Sequence, residues 1–148
     1  MSLDIDLILD GANISGGSGI FVRENGSTRE ITREEWDERF PDREPHIVEP
    51  TNSDVVFSYN ITHNLGKMAT EAGIYDIVWE PERNGITYAF QLTSHLSLGL
   101  KLLESDPDRF KKFDAPNGWG VYGDFVTFVR EYLAACVLYP TAKVYANR

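Results

Sequence analysis

Asn60, Thr62, His63 and Asn64 stand within five consecutive positions of the stretch SYNITHNLGKMATEAGIY, residues 58–75. Two side-chain amides, a hydroxyl and an imidazole together supply directed donors and acceptors for a polar molecule. If the chain turns from strand into helix here, the first helical N–H groups are unpaired and the helix dipole favours an anion beside them. His63 adds a group that donates a hydrogen bond or moves a proton near neutral pH, which makes it the candidate general acid or base. The same residues have structural uses. Asn60 or Thr62 can cap the helix, and His63 can bond a backbone carbonyl. One cap is worth about 1 kcal/mol and needs only one of these side chains. The expectation is that the rest line a pocket.

A second constellation is NGWGVY (117–122), where two glycines flank Trp119 and let the backbone approach something closely. That partner is either a flat ligand or the neighbouring helix. Tyr75 and Trp79 follow the asparagine segment and can complete an aromatic enclosure or pack in the core. Asp4, Asp6 and Asp10 share a strand face, which a solvated edge explains without a metal. His46, His63 and His95 are far apart, with no HxxxH or HxH pair and no second cysteine, so no metal site is expected. GxGxxG, GxxxxGK[ST], GxSxG and HExxH are absent, and GGSG at 16–19 lacks the lysine of a phosphate loop, so no cofactor is expected. Cys136 falls among Tyr132, Leu133 and Tyr139 on a helix face, as a buried inert thiol would.

The elements that must hold these residues follow from periodicity. LDIDLILD (3–10) alternates, as does VVFSYNI (55–61), with Val55, Phe57, Tyr59 and Ile61 on one face and Val56, Ser58, Asn60 and Thr62 on the other. The period then changes to 3.6: Leu65, Met68, Ala69 and Ala72 form a helical stripe that Gly73 can end. Wide apolar stripes predict a helix over about 87–104, expected to be the longest, and another over 122–138 closed by Pro140. DPDRFKKF reads as a short helix with Asp106 as cap and Pro107 at its first position. IFVRENGSTREI is a hairpin about Asn25-Gly26, followed by a short helix capped by Thr32 with Glu35 three residues on. AKVYANR supplies a last strand.

The fold class expected is α+β in one domain, 1–148. A small mixed or antiparallel sheet (strands near 3–9, 55–61 and 142–147) is covered on one face by three main helices, near 64–72, 87–104 and 122–138. The hairpin and helix at 20–40 form an insertion within 11–50, and residues 41–54, with three prolines, an extended connection.

The composition excludes several classes. With 42% hydrophobic and 12% aromatic residues the chain is not disordered. No apolar run approaches the roughly 18–20 residues of a membrane span, so no membrane partner is expected. The net charge is −9, with −8 carried by residues 1–58, which opposes general nucleic-acid binding. That acidic front either engages a basic protein surface or keeps the chain soluble. A lone cysteine and a start, MSLDIDLILDG, without a basic segment point to the cytoplasm, although Asn13 and Asn60 stand in glycosylation sequons.

NITHNLGKMATEAGIYDIVW (60–79), SDPDRFKKF (105–113), NGWGVY (117–122) and the FVREYLAAC helix keep an order and spacing that resembles a family of small uncharacterised phage and bacterial proteins. The resemblance covers about the last ninety residues and implies a standalone domain rather than an activity. Where relatives carry a proline-containing turn in the long helix, this chain reads QLTSHLSLGL, so His95 is not a family feature. The 11–50 region lies outside it. The functional expectation is a binding module for a small polar ligand, nucleotide-like ones included, held by Asn60, Thr62, His63, Asn64, Trp119 and Tyr75. The alternatives are an enzyme using His63 on that ligand and an acidic interaction module with no small-molecule site.

Overall fold

The computed structural model describes residues 2–12, 19–47 and 54–148. In chain order the elements are β1 (Ser2–Ile8), β2 (Ile20–Glu24), β3 (Ser27–Ile31), α1 (Arg33–Arg39) and β4 (Val55–Thr62). Then come α2 (Gly66–Glu71), α3 (Tyr75–Trp79), α4 (Thr93–Ser105), α5 (Pro107–Lys111), α6 (Tyr122–Leu138) and β5 (Lys143–Asn147). The fold is α+β. The sequon at Asn13, residues 16–18 of the GGSG run and residues 48–53 of the connection lie outside the described residues.

β1 is the centre of an antiparallel sheet ordered β4-β1-β5. Its alternation has the predicted meaning. Leu3, Ile5 and Leu7 are fully buried opposite Ile61, Tyr59 and Phe57 of β4, while Asp4 is exposed and Asp6 half-buried on the other face. α6 closes the apolar face through its aromatic rows. Phe57 stacks on Tyr132 at 5.6 Å, and Tyr59 meets Phe128 at 5.1 Å. Each large side chain buried this way contributes about 1.5–3 kcal/mol relative to exposure.

Two helical segments depart from the expectation. α6, at 17 residues, is the longest helix, because 87–104 does not form one continuous rod. Its beginning is a 3-10 turn over Ala89–Gln91. The N–H groups of Ala89 and Phe90 bond the carbonyls of Ala142 and Pro140, at 2.9 Å each, instead of a preceding turn. Thr87 O accepts from Val144 N at 2.9 Å and Tyr88, extended at φ −117° and ψ 150°, bridges Lys143, so the approach of β5 holds 87–88 out of the helix. In the stretch 74–86, given no element above, α3 and a 3-10 turn at Pro81–Asn84 carry Trp79 into the core. Asp106 precedes Pro107 as expected but makes no side-chain capping bond.

β2 and β3 form a separate two-stranded hairpin with Asn25 and Gly26 at φ 50° and 82°, the two positive values of a type I′ turn. Thr32 Oγ1 accepts from Glu35 N, and α1 is tied to the hairpin by Arg39–Glu24 and Arg29–Glu35 ion pairs. Ile20 and Ile31 are buried but stand outside the main core cluster. The segment leaves and rejoins the sheet at one place, since Leu9 N donates to Asp54 O at 2.9 Å. The described residues contain no helix long and apolar enough to cross a membrane.

Candidate functional site

The junction at residues 60–65 is where four parts of the chain meet, and each polar side chain there holds one of them. Asn60, on the outer face of β4, donates from Nδ2 to Ser2 Oγ (3.0 Å) and Asp4 Oδ1 (2.6 Å), fastening the start of β1. Thr62 Oγ1 accepts from Asn64 N at 3.3 Å and caps a 3-10 turn over His63–Leu65. His63 Nδ1 accepts the indole N–H of the buried Trp79 at 2.9 Å, and Tyr75 stacks on Trp79 at 5.0 Å. Asn64 donates from Nδ2 to Trp119 O at 2.9 Å, fastening the NGWG loop.

The two glycines that matter for close approach are on either side of that loop. Gly120, at φ 106°, rests on the junction itself. A Cβ there would lie 3.0 Å from Thr62 Cγ2 and 3.1 Å from Asn64 Cβ. Gly26, in the hairpin turn, rests on the Trp119 ring, where a Cβ would lie 2.7 Å from Cε3. The partner that NGWG approaches is therefore the strand–helix junction, and the hairpin turn takes one face of the indole.

These contacts leave a hollow between the hairpin and β4, in two compartments that share Gly26, Asn60 and Thr62. The outer one, about 280 Å3, is walled by Trp119, Asn64, Asn117 and Arg23. The inner one, about 230 Å3, reaches Tyr59, Asp124 and Thr127 under the turn. Of the six residues expected to act together, Asn60, Thr62, Asn64 and Trp119 line the outer compartment. His63 and Tyr75 do not. Strand alternation sends residues 60 and 62 to the outer face. His63 leaves on the other side, towards α3, and lines a separate groove of about 760 Å3 with Lys67, Lys112, Phe113 and Asn117. Tyr75 is half-buried packing behind Trp79.

The valences left over decide what the hollow can do. Among the described residues, Asn60 Oδ1, Asn64 Oδ1 and Asn117 Nδ2 have no partner, and the Arg23 guanidinium forms no ion pair. Burial raises the Asp124 carboxyl above its usual range, against a backbone bond from Val121 and with help from the charge of Asp114. Burial likewise raises Tyr59, helped by Glu131 and Asp124. Arg23, Asn117 and Asp124 were not singled out in the sequence. Asp124 reads there as an ordinary first-turn acid, and Arg23 belongs to an inserted hairpin whose docking no local pattern reveals.

His63 is constrained in a way that bears on its chemistry. With Nδ1 accepting from Trp79, the neutral ring carries its proton on Nε2, which has no partner among the described residues. The free end of the ring is a donor. Cys136 is fully buried, and burial pushes its thiol up to about 12. Among the described residues no group of three or more His, Cys, Asp or Glu side chains is placed to hold a metal ion. Comparison with protein-family models, curated proteins and solved structures gives no match to the chain.

Proposed function

We propose that this domain binds a small polar ligand in the hollow between the hairpin turn and β4. The observation that carries the reading is the outer compartment, where unused amide valences and the unpaired Arg23 guanidinium converge beside Trp119. Amides left with one free end read both donors and acceptors, and a guanidinium without a carboxylate attracts an anionic group. The inner compartment favours the opposite end of a ligand: Asp124, Ser27 and Thr127 accept from amino or hydroxyl groups. A molecule with an anionic end and a donor-bearing end, as nucleoside monophosphates and amino sugar phosphates have, matches this polarity. The resemblance of residues 60–79 to small phage and bacterial domains and the buried free thiol fit a cytoplasmic setting.

The test is a panel of nucleoside monophosphates, sugar phosphates and amino acids titrated into the 15N-labelled domain. A saturable shift of the Trp119 indole signal is expected for at least one class, lost in Arg23→Glu with the fold intact. If no member of the panel moves Trp119, or if Arg23→Glu leaves binding unchanged, the reading fails.

A further inference from the structure

The groove on the other side of the junction, lined by His63, Lys67, Lys112 and Asn117, is unlike the rest of this acidic surface. The chain has fourteen Lys and Arg residues, all within the described segments. Eight of them are in ion pairs. Lys67 and Lys112 are among the few without one in the described residues, and both line this groove. Its carboxylate, Asp114, has Oδ1 taken by the Tyr122 N–H at 2.7 Å. His63 adds its Nε2–H, a proton kept on that nitrogen by the Trp79 bond at Nδ1. Asn117 has Oδ1 taken by Trp119 N at 3.0 Å and so offers its NH2 group. Every group left uncommitted on these four side chains is a donor, and two are ammonium ions. Such a set selects an oxyanion, since each oxygen of a phosphate accepts from several donors and its charge meets two cations.

We propose that this groove is an oxyanion site for a phosphate group borne by a small molecule. A charge of −9 over the whole chain disfavours a polyanion such as nucleic acid, which meets the acidic remainder of the surface beyond the groove. The proposal does not depend on the hollow beside Trp119, although Asn64 and Asn117 stand in the wall between the two.

Inorganic phosphate, glucose 6-phosphate and a short DNA duplex are titrated at constant ionic strength, with chloride as the blank. The readouts are the His63 ring nitrogens and the Lys67 and Asn117 signals by NMR. Phosphate and the sugar phosphate are expected to give saturable shifts there. Each of Lys67→Glu and Lys112→Glu should weaken binding by about tenfold, as reversal of a charge beside the anion does. Lys101→Glu, a surface charge reversal on α4 away from the groove, should not. The proposal is overturned if the shifts equal those of chloride, if Lys101→Glu weakens binding as much, or if the duplex binds more tightly than the sugar phosphate. If binding is lost in Arg23→Glu and kept in both lysine variants, the anion belongs in the hollow beside Trp119 and the groove is not a site.

Discussion

On the hairpin side of residues 60–65, the hollow has walls from distant parts of the chain: Ser2, the β2–β3 hairpin, β4, the NGWG loop and the start of α6. On the histidine side, the groove is made by residues 63–67 and 112–117, both belonging to the core half of the molecule. The hollow mixes amide acceptors with two carboxylates, Glu24 and Asp124, and two guanidinium groups, Arg23 and Arg29. The groove presents the donors of His63, Lys67, Lys112 and Asn117 around the Asp114 carboxylate and the Asn64 amide. The two share a wall in Asn64 and Asn117, yet one depends on an inserted segment and the other does not. Adjacent residues can thus serve separate volumes, because alternation along β4 and the turn at His63 send neighbouring side chains to opposite sides.

The largest way to break this comparison is to remove the hairpin. Because Leu9 N bonds Asp54 O, a short linker can join Gly11 to Asp54 without stretching the sheet. The shortened domain is expected to unfold cooperatively and to lose all binding at Trp119, while the groove keeps its response to phosphate. Calorimetry and the same titrations check this. An insoluble or non-cooperative product would show that the hairpin belongs to the one core.

Gly120→Ala strikes the shared wall from behind, through Asn64. Its φ of 106° and the Thr62 and Asn64 atoms inside ordinary contact distance of a Cβ should together cost about 2–3 kcal/mol, measured by urea unfolding. Both clefts should be damaged. A loss of one alone would mean that the wall is not common to them.

Trp79→Phe acts on the histidine side only. It keeps a ring against Tyr75 but deletes the donor to His63, with an expected loss of about 1–2 kcal/mol. Ring-nitrogen NMR should then show His63 released from its single tautomer, with binding at Trp119 unchanged. Unequal tautomers in the parent protein, with the proton on Nδ1, would contradict the assignment.

The smallest effect is a matter of sign. Burial raises the Asp124 carboxyl above its ordinary 3.8, so the folded state holds that proton more tightly than the unfolded chain does. The resulting stability is fully present below the ordinary value and is lost as pH rises through the folded one. Asp124→Asn should therefore raise Tm slightly at pH 7 and leave it unchanged near pH 3, while weakening ligands that bring a donor to the inner compartment. A lower Tm at pH 7 would show that the carboxylate is held by favourable contacts instead.

Much of the scaffold was determined by the sequence alone, because backbone stereochemistry acts over a few residues. Alternation in 3–9 and 55–61 sets which side chains of β1 and β4 are buried, and Asn-Gly readily adopts the two positive φ values of the hairpin turn. Gly73, at φ 77°, ends α2 for the same local reason. The tertiary structure decided the rest. The helix expected from 87 starts late because Val144 and Lys143, distant in sequence, pair with Thr87 and Tyr88 and hold them extended. The polar cluster at 60–64 divides because Ser2 and Asp4, Trp79 and Trp119 each claim a different member of it. Side-chain type states what a residue can bond. Which of its valences remain for a ligand depends on long-range partners that compete for them, and no local periodicity encodes that competition.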